Sequence, residues 1–256
     1  MKSLFDISGK TALVTGGSSG IGAMIARGFV ENGVKTYISA RKEDRLKAKA
    51  DELSEIGTCI PIQADLSKVA GIEKLVAEIS ERESQLDILV NNAGANWIAP
   101  IEEFPEDGWD KVMNINIKSI FFMTQKALPL LRAGGSKEDP ARVINIASIN
   151  GITNPGMPSY AYSASKSGVV HLTKHLATDL ARHYINVNGI APGFFPSDMT
   201  KEATNSDAIR ESVIKQIPLY SEMHRFIPAM ASIAGARVKQ IPVRHHERKF
   251  GESKYG

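Results

Sequence analysis

Four of the eight residues in the run Thr15-Gly16-Gly17-Ser18-Ser19-Gly20-Ile21-Gly22 are glycine. The run stands between a short apolar stretch and one with helical spacing. Glycines there let the chain turn tightly and bring backbone N–H groups up to an anion, and a helix start beyond them favours negative charge. A pyrophosphate suits this arrangement, with Gly16, Ser18, Ser19, Gly20, Ile21 and Gly22 as candidate contacts. Further on, residues 37–42 read Tyr-Ile-Ser-Ala-Arg-Lys, with no acid closing the apolar run. An acid there would hold a ribose 2′-hydroxyl, and a base would accept a 2′-phosphate. Arg41 can form charge-assisted bonds to a phosphate, and Ser39 can add a neutral donor. Arg41 and Lys42 also fit solvated charges opening a helix.

The elements that must hold these residues follow from the hydrophobic pattern. Short apolar runs at 10–15, 34–39, 59–62, 86–90, 143–147 and 185–190 read as strands. Amphipathic or charged stretches near 24–33, 42–55, 71–79 and 160–181 read as helices between them. Residues 133–140 (AGGSKEDP) read as a surface loop. Strands alternating with helices predict βαβ units. Apolar strands without alternation predict a sheet covered on both faces. The fold class is therefore α/β, a doubly wound Rossmann fold with a mostly parallel central sheet. With no repeat and no linker, 1–256 reads as a single domain. A glycine turn placed between strand and helix favours a dinucleotide, and the basic strand end favours NADP(H) over NAD(H).

Bulk properties exclude other classes. The chain has 256 residues, 43% hydrophobic and 23% charged, with a formal charge of +3. That charge is too mild to argue for nucleic acid or an anionic membrane. Cys59 is the only cysteine, so no internal disulfide is expected, in keeping with a reducing, cytoplasmic setting. The N-terminus does not read as a signal peptide, and no stretch approaches a membrane span.

Four motifs together resemble the short-chain dehydrogenase/reductase family: TGGSSGIG (15–22), Asn91-Asn92-Ala93-Gly94, Tyr162-Ser163-Ala164-Ser165-Lys166, and Pro192-Gly193. Their order and spacing match that family over residues 9–218. The stretches NWIAPIEEFPEDGW (96–109), ARVINIAS (141–148) and INVNGIAPGFFPSDMT (185–200) look especially like bacterial NADPH-dependent 3-oxoacyl reductases, including the rhamnolipid-synthesis type. The resemblance implies a catalytic set of Asn116, Ser148, Tyr162 and Lys166. It implies Asp65 and Leu66 beside an adenine, and Asn91, Ala93 and Gly94 along the cofactor. Tyr162 and Lys166 would also touch it, with Ile190, Pro192 and Gly193 beside the nicotinamide. It further implies a homo-oligomer, a dimer or a tetramer.

These residue types suit carbonyl reduction. Hydride transfer to a carbonyl builds negative charge on its oxygen, so a proton donor is needed. Tyr162 is a phenol, which normally titrates near ~10. Lys166, four residues later, emerges on the same helix face, and its ammonium is expected to lower the phenol's pKa. Ser148 can hold the substrate oxygen, and the Asn116 amide can position a water or a backbone group. Taken singly, each has a plainer reading. The Tyr–Lys spacing fits a surface pair, Ser148 a turn cap, Asn116 a buried amide, and Asn91 and Asn92 turn formers.

Substrate choice is expected in the segment after Pro192-Gly193. Phe194, Phe195 and Met199 make its start apolar, which suits an acyl chain or ordinary core packing. Trp97 and Met157 are further pocket candidates. The substrate is read as a small-molecule ketone, with an acyl chain on a carrier as one form. A polyol, sugar or steroid alcohol dehydrogenase and an inactive NADP-binding regulatory protein stay open beside it. Residues 220–256 depart from the family pattern: they lack its Asp-Gly-Gly and hold three of the six histidines. His224, His245 and His246 have no metal-site spacing, so no metal is expected. Residues 237–243 read as a possible last strand.

Overall fold

The computed structural model describes residues 6–153 and 156–193. Phe194, Phe195, Met199 and the atypical segment 220–256, with its histidines and its possible strand, lie outside them.

Six strands form one sheet among the described residues: β1 (Thr11–Thr15), β2 (Lys35–Ala40), β3 (Cys59–Gln63), β4 (Ile88–Asn91), β5 (Ala141–Ile146) and β6 (Ile185–Ile190). Their order is β3-β2-β1-β4-β5-β6, with every neighbouring pair parallel. The helices are α1 (Gly20–Glu31), α2 (Glu43–Ser54), α3 (Val69–Ser80), α4 (Glu106–Met113), α5 (Ser119–Gly134) and α6 (Tyr160–Leu180). The expected doubly wound parallel sheet is thus present, with boundaries moved by a few residues. The order reverses between β1 and β4, and α/β sheets bind ligands in the crevice at such a point.

Strand alternation explains the two cores. Leu13 and Tyr37 face one side, where they meet Ile72 and Leu75 of α3 and Met123 and Leu131 of α5. Ala12, Val14 and Ile38 face the other, against Ala26 and Val30 of α1 and Leu46 and Leu53 of α2. Each fully buried aliphatic side chain contributes roughly 1.5–3 kcal/mol. With both faces covered at the centre of the sheet, β1 needs no polar face and is buried along its whole length, whereas β3 and β6 mix buried with exposed positions.

The apolar pattern did not mark out one long helical stretch, and only the family resemblance implied a helix at residues 113–117. Residues 106–134 form α4, a wide π turn at Asn114–Lys118, and α5. Val112, Ile120, Met123, Ala127 and Leu131 carry the helical spacing and are buried. Pro129 inside α5 interrupts the pattern that would reveal it. The loop that follows is anchored by Asp139, which pairs with Lys10 (2.5 Å) and Arg142 (2.9 Å).

Candidate active site

Thr15 and Asn92 lash the glycine turn to the end of β4. The Thr15 hydroxyl accepts from the backbone N–H of Asn92 (2.9 Å) and Ala93 (3.0 Å) and donates to the Val90 carbonyl (3.2 Å). The Asn92 amide donates to the carbonyls of Thr15 (2.9 Å) and Gly16 (3.3 Å). A side chain at Gly22 would run into that amide and the Gly16 carbonyl, so the close approach requires glycine. Gly16 has a φ of 69°, the left-handed region that glycine enters freely.

The turn leads into α1 with its amides open. The first helical bond runs from Ala23 N–H to the Ser19 carbonyl (3.2 Å). The N–H groups of Gly20, Ile21 and Gly22 precede it and have no intrahelical acceptor. Ser19 makes no side-chain cap, and no acid stands in the first turn. The geometry and the charge of this helix start suit an anion.

Beside the turn lies a crevice of about 470 Å³, lined among others by Gly16, Ser39, Arg41, Leu66, Ala93 and Gly94. Ser39 is fully buried, and among the described residues its hydroxyl has no hydrogen-bond partner. Leaving such a group unpaired costs about 1–3 kcal/mol, which an acceptor in the crevice would recover. Asp65 is exposed at the end of β3, with its carboxylate held by the Ser67 hydroxyl (2.7 Å) and N–H (3.1 Å). The Ser67 hydroxyl, with smaller help from Arg41 and Lys68, holds this carboxyl below its ordinary range.

Ser148, Tyr162, Lys166 and Asn116 come together at the carboxyl end of β5. Two backbone bonds draw the end of β6 alongside: Ala147 N–H to the Ile190 carbonyl (2.7 Å) and Ile149 N–H to the Pro192 carbonyl (2.9 Å). Gly193 follows at the edge. The Lys166 ammonium is buried, donates to the Ile146 carbonyl (2.7 Å), and lies 5.6 Å from the centre of the Tyr162 ring. A Cβ added to Gly94, which lines the crevice, would be 3.9 Å from that nitrogen. The crevice and the Ser148–Tyr162–Lys166 cluster therefore adjoin.

The electrostatics differ from the sequence expectation. Burial pushes Tyr162 above its ordinary value, and a hydrogen bond with Ser148 pulls the other way. Burial also lowers Lys166 to about 8. The expected lowering of the phenol by the ammonium does not prevail here. Desolvation disfavours both charged forms, and the amine directs one N–H to the Ile146 carbonyl.

Asn116 sits fully buried in the π turn. Its side chain accepts from Ala95 N–H (2.8 Å) and donates to the Ala95 carbonyl (2.9 Å) and to Ser165 Oγ (3.0 Å). Ser165 in turn donates to the Tyr162 carbonyl (2.7 Å). The amide thus positions a backbone segment, one of the two uses expected of it. Ser148 is also a turn cap, accepting from Asn150 N–H at 3.2 Å.

The Asn91 side chain is buried and turns inward. Its amide donates to Asn145 (2.9 Å) and Thr124 (3.3 Å), and Asn145 donates on to Thr173 (3.0 Å). Trp97 lies flat against α4, where a Cβ on Gly108 would meet its ring at 2.7 Å and the Lys111 ammonium stands 5.1 Å from its centre. Met157 lies just ahead of α6 and its carbonyl accepts from Ser159 N–H at 2.8 Å. Thr15, Asn92 and Ser165 are the positioning residues that the sequence reading did not assign. Their signal was adjacency to the motifs, and only the folded contacts reveal it. Among the described residues no group of three His, Cys, Asp or Glu side chains could hold a metal, and no helix is long and apolar enough to cross a membrane.

Comparison with known proteins agrees with this geometry. The family described as short chain dehydrogenase matches residues 10–208. The chain is 45% identical over 241 residues to the rhamnolipids biosynthesis 3-oxoacyl-[acyl-carrier-protein] reductase of Pseudomonas aeruginosa, covering 92% of this chain and 94% of that one. It is 35% identical over 237 residues to the 3-oxoacyl-[acyl-carrier-protein] reductase FabG of Staphylococcus epidermidis, covering 91% and 94%. The Pseudomonas aeruginosa RhlG/NADP active-site complex superposes with a TM-score of 0.81 at 44% identity, covering 93% of this chain and 95% of that one. The chain belongs to the short-chain dehydrogenase family of oxidoreductases.

Proposed function

We propose that this oxidoreductase uses NADPH to reduce the ketone of a 3-oxoacyl-like substrate to a secondary alcohol, with Tyr162 as general acid. The observation that carries the reading is the meeting of Ser148, Tyr162 and Lys166 at the end of a crevice that starts at an open helix N-terminus. The residues present fit NADP(H). The α1 amides suit the pyrophosphate, and the unpaired Ser39 hydroxyl and exposed Arg41 suit a 2′-phosphate. The two 3-oxoacyl reductases and the NADP complex among the relatives support the same substrate and cofactor.

The chemistry that NADPH supplies when bound is a hydride. The protein's residues do the rest. Ser148 donates a hydrogen bond to the substrate oxygen and holds it for the phenol. Tyr162, a phenol and so protonated at neutral pH, delivers its proton to that oxygen as negative charge develops. The Lys166 ammonium favours that transfer by stabilising the phenolate left behind. Asn116 fixes the backbone at Ala95 against α6 and so closes the site's outer wall.

The same reading takes the acyl group as borne on a carrier and the chain as a single cytoplasmic domain that forms a dimer or tetramer. Trp109 and Phe121, 41% and 39% exposed on α4 and α5, supply apolar surface for that contact. The test is Tyr162→Phe, assayed with acetoacetyl thioester and a panel of sugars and polyols. Turnover should fall on the order of 10²–10⁴-fold, the usual worth of a positioned acid, with NADPH Kd within about twofold. Near-normal kcat in that variant rejects the assignment, and a preference for polyols rejects the substrate class.

A further inference from the structure

The turn that carries Ser148 is pressed directly onto the helix that carries Tyr162 and Lys166. After Ser148 the chain makes a tight 3₁₀ turn at Ile149–Gly151. Gly151 N–H donates to the Ser148 carbonyl (2.9 Å), and Asn150 N–H donates to the Ser148 hydroxyl (3.2 Å). The turn is therefore a rigid piece with the serine at its start. Its far end lies on the backbone of α6. A Cβ at Gly151 would stand 2.6 Å from both the carbonyl carbon and the oxygen of Lys166, and 2.9 Å from Ser167 N. Those are backbone atoms of a helix interior and cannot swing aside. The Ser167 hydroxyl donates to the Gly151 carbonyl at 3.0 Å and closes the contact from the other side.

We propose that Gly151 and Ser167 are positioning residues of the catalytic site. They clamp the Ser148 turn to α6 and so fix the separation between the serine hydroxyl and the phenol. The inference rests on the proposed roles of Ser148 and Tyr162 and adds the device that sets their distance. Neither residue touches the reacting atoms. Gly151 works by lacking a side chain, and Ser167, although exposed, works through one backbone hydrogen bond.

Gly151→Ala forces the turn away from the helix. Catalytic groups displaced by about 1 Å lose on the order of 10²-fold, so a partial opening is expected to lower kcat tenfold or more. The glycine turn and crevice are untouched, so NADPH Kd should stay within twofold. A purely structural role would leave the ionisation of Tyr162 alone. The clamp predicts a change, because Ser148 lowers the Tyr162 pKa and a loosened bond lets it rise.

The experiment reads Tyr162 directly, by tyrosinate absorbance taken as the difference against Tyr162→Phe in each background with NADP⁺ bound. Gly151→Ala should move that titration to higher pH. Ser167→Ala should do the same more weakly, with kcat down about two- to fivefold, and Ser167→Thr should restore both. If Gly151→Ala folds and leaves titration and kcat at wild-type values, the clamp is overturned. If Gly151→Ala does not fold, Ser167→Ala decides, and an unmoved titration there overturns it equally. A Tyr162→Phe enzyme that still turns over would instead overturn the acid assignment. The absorbance titration would still report on the clamp.

Discussion

Arg41→Ala should abolish most of the preference for NADPH over NADH, and the structure sets the size of the loss. The Arg41 backbone is held, since its carbonyl accepts from the Gln63 amide at 3.0 Å. Among the described residues its guanidinium has no hydrogen-bond or ion-pair partner and acts only at longer range on Asp65. The whole of its donor capacity is free for a phosphate. A charge-assisted hydrogen bond contributes roughly 1.5–3 kcal/mol in a sheltered site. Arg41 is exposed, so solvent and salt reduce that to about 1–2 kcal/mol, or roughly five- to thirtyfold. The assay is the ratio of kcat/KM for NADPH to that for NADH, measured at low and high salt. In the wild type the ratio should fall as salt rises. In Arg41→Ala it should be smaller by that factor and nearly independent of salt, with the NADH value unchanged. A ratio within twofold of wild type, or one with the same salt slope, would refute the reasoning and leave Ser39 as the sole discriminator.

Two further outcomes follow from buried groups. Asn145 is fully buried between Asn91 and Thr173, so Asn145→Ala leaves one amide short of its best partner and opens a cavity. It should cost about 2–4 kcal/mol and lower Tm by roughly 5–10 °C, read by calorimetry, and an unchanged Tm would contradict it. Lys166 titrates near 8 in the folded chain against an ordinary 10.5. Between those values the unfolded state binds a proton that the folded state has lost, so this group's contribution to stability rises with pH across that window. Urea unfolding of wild type and Lys166→Met should show the difference moving in favour of wild type by about 2–3 kcal/mol from pH 7 to pH 10. A pH-independent difference would mean that the amine is not desolvated.

Much of the site was legible from the chain. The glycine turn could be read because strand, turn and helix are consecutive, so one short segment carries every feature that suits an anion. Tyr162 and Lys166 could be paired because four residues on a helix are neighbours by geometry alone. The inward turn of Asn91 was not legible, because its partners Thr124 and Asn145 lie on α5 and β5. The phenol's raised pKa was not legible either, since it depends on how much protein surrounds Tyr162 and not on what stands four residues away.

Periodicity of apolar residues and the local demands of a tight turn marked the strands and most helices, because these signals act within a dozen residues, while the family and the catalytic candidates came from the resemblance of four motifs to a known family. Which amide faces inward, how strongly the lysine is desolvated, and why residue 151 has no side chain were decided only by packing. Each depends on chain segments brought together from far apart, and no spacing along the sequence records how close they come.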